Sequence, residues 1–282
     1  MHKLPLISTI IATYNEEKNI KNIINSIDSL DYPKDRVEII VVDNNSKDST
    51  REKARSLIDK VYNLANEKKL TNVENFRGAQ VNFGASKANG EILFVPDADM
   101  TFEKGLFQEI AEKIQQFDAL YVPEFVMGKG WFGKIRNFER SFYNQTCIDA
   151  LRVFKKDIFE QVSGFDEINM PFAPDDWDLT KMIKEITNKL SITKNKIYHH
   201  EEWLTLGVYL NKKSKYVPTI EPYIKKWGKD DPDVKKQLGI KYRYLGVFTE
   251  NGKWKRLLSH PLLSINLFAL RVVVGIKYLL NK

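Results

Sequence analysis

The strongest constraint on the fold is an alternation in the first hundred residues. The runs "LISTIIA" (6 to 12), "VEIIVVD" (37 to 43) and "EILFV" (91 to 95) are β-branched, apolar and of strand length. Between the first two, Ile20, Ile23, Ile24, Ile27 and Leu30 recur at helical spacing, with Glu16 and Glu17 at the start, where the helix dipole favours acids. "NSKDSTREKARSLI" offers Ser, Asp and Thr caps and places Ala54, Leu57, Ile58 and Val61 on one helical face, and "FRGAQVNFGASKANG" is a helical stretch rich in small residues. Strands alternating with helices predict an α/β layer fold with a mostly parallel sheet. In such a sheet the polar loops Tyr14 to Glu17, Asp43 to Ser46 and Asp97 to Asp99 meet at one edge, where open α/β sheets bind ligands.

Beyond residue 124 the pattern loosens. "KGWFGKIRNFERSFY" reads as a helix with Trp131, Ile135, Phe138 and Phe142 on one face. "PFAPDDWDLTKMIKEI" is an acidic loop entering a helix with Leu179, Ile183 and Ile186 inside, and "LSITKNKIYHHEEW" is a strand ending in a His/Glu cluster. The single cysteine, Cys147, cannot form an internal disulfide, and no secretory signal opens the chain, so a cytoplasmic setting is expected.

The net charge of +7 is concentrated in residues 203 to 282, which hold 16 Lys/Arg against 5 Asp/Glu. Such a segment faces something anionic. Zinc-ligand spacing, an RNA-binding aromatic signature and a helix-turn-helix pattern are all missing, which argues against nucleic acid. The apolar run at 262 to 280 carries Arg271 near its centre, at a cost of ~3 kcal/mol in a membrane, so it is expected to lie on an anionic membrane surface or to pack on the protein rather than span.

Asp97 and Asp99, directly after the third strand, could together meet one hard cation of the Mg²⁺ or Mn²⁺ kind; an isolated D-x-D is as readily a solvated turn. The context is more specific. "STIIATYNEEKNI", "IIVVDNNSKDST", "NFRGAQVNFGASKANGEILFVPDADM", "RVFKKDIFEQVSGFDE" and "PDDWDL" occur in this order and spacing. This arrangement resembles the family 2 inverting glycosyltransferases of the GT-A fold over roughly residues 5 to 205.

The resemblance implies a Rossmann-like mixed sheet flanked by helices at 1–205, followed by a basic, partly helical extension at 206–282. It places Thr13, Tyr14, Glu16 and Asp43 on the nucleotide base and Arg77, Gly78 and Asn82 along the nucleotide-sugar pocket. Asp97 and Ala98 fall toward the ribose, and Asp97, Asp99 and His200 on Mn²⁺ or Mg²⁺. Where the family usually reads Glu-Asp, this chain has Asp175-Asp176. Asp176 takes the role of general base, and Asp175, Asp178, His199 and Arg152 fall on the acceptor or diphosphate side. The donor implied is a UDP- or GDP-sugar and the acceptor a glycan or lipid-linked glycan. With no Q-x-x-R-W element, addition of one sugar is expected rather than processive synthesis. Two rivals stand beside this reading. A sugar nucleotidyltransferase would need a glycine-rich N-terminal loop that "ATYNEEKN" lacks, and a non-catalytic nucleotide-sugar or membrane-glycan binding module would not need Asp176.

Overall fold

The computed structural model describes residues 4–68, 77–170, 173–215 and 220–280. Its strands are β1 (Ile7–Thr13), β2 (Val37–Asp43), β3 (Val61–Asn63), β4 (Ile92–Phe94), β5 (Met100–Phe102), β6 (Ala119–Tyr121), β7 (Glu124–Met127), β8 (Leu151–Lys155), β9 (Leu190–Ile192) and β10 (Ile197–His200). The helices begin with α1 (Ile20–Asp28), α2 (Thr50–Arg55), α3 (Leu64–Lys68), α4 (Arg77–Lys87), α5 (Leu106–Lys113), α6 (Gly130–Arg140), α7 (Lys156–Gln161) and α8 (Asp175–Ile186). They continue as α9 (Leu206–Lys215), α10 (Ile220–Trp227), α11 (Pro232–Leu238), α12 (Val247–Thr249), α13 (Trp254–Ser259) and α14 (Pro261–Leu280). The chain divides into two compact units, one of residues 1–123 with 150–199 and one of residues 124–149 with 200–282.

The first unit is built on a seven-stranded sheet in the order β3-β2-β1-β4-β8-β6-β9. β1 runs parallel to β2 and β4, and β8 is antiparallel to β4 and β6, so the sheet is mixed. Alternation along β1 sends Ile7 and Ile11 into the core cluster under α1 and α5, while Ile10 joins the opposite one under α4 and α8. The α1 stripe of Ile20, Ile23, Ile24 and Ile27 is buried, each side chain contributing about 1.5–3 kcal/mol. Gly84 is small for a reason: a Cβ there would stand 2.4 Å from Cγ2 of Ile10, so α4 rests directly on β1.

Three local expectations are corrected. The helix after β2 stops at Arg55, and Val61 belongs to the edge strand β3 paired with β2. Three residues are too few for strand alternation to show. Ile186 is exposed at the end of α8, and Trp131 is exposed on α6. The run that begins at Leu190 forms two strands rather than one, and in the link between them the Thr193 hydroxyl donates to the Asn195 carbonyl at 2.8 Å.

The second unit has its own core, formed by Ile135, Phe138 and Phe142 with Leu204, Tyr209, Val247, Phe248, Leu267 and Leu270. The apolar face of α6 therefore packs with the tail helices. The compact units divide at 123/124, 149/150 and 199/200. Arg271, so costly in a membrane, is buried here in an ion pair with Glu139 at 2.9 Å. Among the described residues no helix is long and apolar enough to cross a membrane.

Candidate active site

The parallel register sets Thr13 opposite Asp43 at the ends of β1 and β2, and an isolated parallel bridge sets Ala12 opposite Asp97. The three polar loops thus gather at one edge of the sheet. Two of them are bonded together: Asn15 N–H donates to Ser46 Oγ at 2.8 Å, Lys47 N–H to Asn15 Oδ1 at 2.9 Å, and Glu16 N–H to Thr50 Oγ1 at 2.8 Å. Asn15 and Asn45 take left-handed backbone angles that the short polar side chains of asparagine tolerate. Below the loops, the Gln80 carboxamide donates to the carbonyls of Thr13 at 2.9 Å and Val42 at 2.6 Å. Gln80 was not among the expected site residues, since nothing in its spacing marks a buried amide that ties two strands.

Asp43 is fully buried. It accepts from Thr13 Oγ1 at 3.0 Å, from Ser46 N–H at 2.8 Å and from the Ser46 hydroxyl, with Arg51 at 3.6 Å. Tyr14 is exposed at the rim. Glu16 lies between: burial pushes its carboxyl up, against the Asn19 hydrogen bond and joined by the charges of Asp99, Asp48 and Asp97.

The centre of the arrangement is Arg77, at the first turn of α4. Its Nε donates to Asp97 Oδ1 at 3.1 Å and its Nη1 to Asp176 Oδ1 at 2.8 Å, with Asp175 Oδ2 at 3.5 Å. The guanidinium lies over the Phe165 ring, 5.5 Å from its centroid. Arg152 completes the cluster. Val95 N–H donates to the Arg152 carbonyl at 2.8 Å, which delivers the side chain beside the β4 loop, and its Nη1 meets Asp97 Oδ2 at 3.0 Å. Burial and the charge of Asp176 push the Asp175 carboxyl well above the usual range, with Arg77 opposing.

The antiparallel pairing of β5 with β10 sets His199 opposite Met100, and His199 Nε2 lies 3.2 Å from Asp99 Oδ2. The sequence favoured His200 as the inward histidine, but strand alternation places His199 by Asp99. His200 turns Nδ1 to Glu202 at 3.1 Å in the second unit. Among the described residues no three metal-type side chains converge, so the expected trio of Asp97, Asp99 and His200 is not gathered. The donors nonetheless suit a hard or borderline cation: Asp97, Asp99, Asp175 and Asp176 outnumber Arg77 and Arg152, and His199 adds an imidazole.

Several expected pocket residues do other work here. Asn82 pins the loop after α7, donating to the Phe165 carbonyl at 2.9 Å and Glu167 Oε1 at 2.9 Å and accepting from Phe165 N–H at 2.9 Å. A Cβ on Gly78 would stand 2.8 Å from that of Phe165, so this glycine permits packing rather than lining a pocket. Ala98 and Asp178 are buried.

A family model described as glycosyl transferase family 2 matches residues 8–163. A probable glycosyltransferase of Bacillus subtilis is 37% identical over 106 residues, which cover 37% of this chain and 25% of that protein. A dolichol-phosphate mannosyltransferase of Pyrococcus furiosus is 31% identical over 173 residues, 56% of this chain and 45% of that one. The chain therefore spans less than half the length of these two curated relatives. A solved mannosyltransferase of Pyrobaculum calidifontis, in complex with GDP-Man and Mn²⁺, matches with a TM-score of 0.63 at 19% identity, covering 100% of this chain and 89% of that one. That likeness carries the fold.

Proposed function

The chain belongs to glycosyl transferase family 2, and from that footing we propose that it moves a single sugar from a UDP- or GDP-sugar to an acceptor hydroxyl with inversion, Asp176 acting as general base. The observation that carries the reading is the bridge through Arg77. Asp97, after β4, and Asp176, in the first turn of α8, lie far apart in sequence yet share one guanidinium, at 3.1 and 2.8 Å. A donor-side carboxylate and a base thereby sit within a single side chain's reach, the proximity that a direct displacement requires.

In this reading a carboxylate oxygen of Asp176 takes the acceptor's hydroxyl proton as that oxygen bonds to the anomeric carbon and the carbon's bond to the diphosphate oxygen breaks. Arg77 and Arg152 face the departing diphosphate, whose charge competes with the aspartates for the Arg77 fork and so frees Asp176 to accept a proton. Asp175, raised by burial and by its neighbour, orients Asp176 rather than sharing its task. Asp99 and His199, 3.2 Å apart, would contribute ligands to Mn²⁺ or Mg²⁺, which when bound neutralises charge on the diphosphate. Exposed Tyr14 would cover the base above the rigid floor that Asp43 ties together. For the acceptor, the Pyrococcus relative is named for dolichol phosphate, and with the basic, apolar tail of this chain that supports a lipid-linked acceptor, a lipid-linked glycan among them.

The test is a thermal-shift screen of UDP and GDP, each with and without Mn²⁺, followed by transfer assays with the sugar nucleotides of whichever base binds. A metal-dependent shift with one nucleotide is expected. Stabilisation by neither would sink the proposal, and pyrophosphate release from a nucleoside triphosphate and a sugar 1-phosphate would redirect it to nucleotidyl transfer.

A further inference from the structure

The outer face of α14 in the second unit is not covered by the core of that unit. Its inner face is accounted for: Leu267 and Leu270 close the core and Arg271 pairs with Glu139. On the other side Leu262, Ile265, Ala269, Val272, Val273 and Ile276 recur every three or four residues and are exposed, and α13 adds Trp254 and Leu258. The exposure is extensive, with Leu258 at 71%, Leu262 at 67% and Ile265 at 66%. An apolar stripe of this length on a protein surface marks an interaction site.

The charge around the stripe identifies the partner. From Asn251 to Lys282 the sequence contains six Lys/Arg and no Asp or Glu. Exposed Lys255 sits 5.9 Å from the ring of Trp254 at the start of the stripe. An apolar stripe flanked by exposed Lys255 and Arg256 at one end and by Lys277 at the other, with an indole beside the first pair, matches a bilayer whose headgroups are anionic. A second copy of the chain fits less well: the three-and-four spacing suits a coiled coil, but two acid-free helices would bring like charges together with no carboxylate to pair them. A crossing is also excluded for α14, since its inner face is bonded to the protein.

We propose that the stripe from Trp254 to Ile276 is a docking surface for an anionic lipid bilayer, with α14 lying in the plane of the headgroups. The test is flotation of the full chain with phosphatidylcholine vesicles and with vesicles carrying about one-third phosphatidylglycerol, at low and high salt. Co-flotation with the anionic vesicles is expected, falling about tenfold with neutral vesicles or high salt. The double variant Leu262→Glu/Ile265→Glu changes only exposed side chains, so its melting temperature should match that of the parent while its flotation drops about tenfold or more. Ile168→Glu, an equally exposed apolar position in the first unit, should float as the parent does. The proposal is overturned by failure to float with anionic vesicles, by equal flotation of the double variant, or by a dimer in light scattering that this variant dissolves. None of these readouts depends on sugar transfer.

Discussion

Arg77 in the first unit and Arg271 in the second each hold carboxylates, and they differ in burial and in charge balance. Around Arg271 the pairing is close and the groups are covered: Arg271 is 5% exposed and Glu139 1%. Arg136 meets Glu139 at 2.6 Å and Glu201 at 3.3 Å, Arg140 meets Glu124 at 3.3 Å and Asp149 at 2.7 Å, and Arg243 lies close enough to feel the charges of Arg271 and Glu139, so four arginines face four acids. Around Arg77 the acids outnumber the arginines and remain partly open, Asp97 at 30% and Asp176 at 34% of their side-chain surface. Buried, matched charges cost several kcal/mol of desolvation and serve to fix one packing. Charges that are unmatched and within reach of solvent can exchange partners when a ligand arrives. The same two chemical groups thus mark structure in one unit and a site in the other.

The largest effect expected from this difference falls on Asp176. Asp176→Asn keeps the shape and the hydrogen bond to Arg77 but removes the base, so transfer should fall by about 10²–10⁴-fold while the nucleotide-induced thermal shift survives. Undiminished turnover in that variant would falsify the base assignment. Next comes the buried pair. Glu139→Gln leaves Arg271 without its acid and should lower unfolding free energy by about 3 kcal/mol in urea titrations, with the nucleotide shift intact. Adding Arg271→Met should recover part of that loss, and strict additivity of the two changes would show that they do not act as a pair. A smaller effect is expected at Arg77. Lysine keeps the charge but not the fork that reaches Asp97 and Asp176 together, so Arg77→Lys should weaken nucleotide diphosphate binding about tenfold in calorimetry. Equal affinity would return Arg77 to a purely structural role beside the Arg271 cluster.

Much of this organisation was legible in the sequence. The isoleucine stripe of α1, the strand runs of β1, β2 and β4 and the acidic loops after them follow from periodicity, and parallel pairing then fixes that the loops share an edge. Four things were not legible. Contacts such as Arg77 to Asp176 join residues 99 positions apart, and no local pattern records which arginine will meet which acid. The choice between His199 and His200 depends on the register of β10 against β5, and a one-residue slip would exchange them. Asn82 and Gly78 stand in the motif for reasons of packing against Phe165, which a motif alone cannot distinguish from contact with a ligand. The core that the helix at 130–140 shares with the tail joins stretches distant in sequence, and no local pattern records it.

Glu38 offers the smallest and most exacting test, because it is paired and largely covered like the acids of the Arg271 cluster but lies nearer to solvent. It accepts from the Ser8 hydroxyl, from Lys60 Nζ, and from Asn89 N–H and Nδ2, each at 2.8 Å for the asparagine, while its partner Lys60 is 34% exposed. Burial pushes its carboxyl up, but the hydrogen bonds from Lys60, Ser8 and Asn89 and the Lys60 charge outweigh it, so the folded value lies below the ordinary one. A depressed folded value contributes stability above the unfolded pKa of about 4.3, and that contribution is lost as pH falls through the folded value. Glu38→Gln removes this dependence. The parent's melting temperature should therefore fall more steeply than the variant's between about pH 5 and pH 3, by about 1–2 °C, with little difference at neutral pH beyond the lost hydrogen bonds. If Glu38→Gln instead destabilises the protein at neutral pH as much as Glu139→Gln does, burial does not set the worth of a paired carboxylate in this chain, and the contrast between the Arg77 and Arg271 clusters would have to rest on charge balance alone.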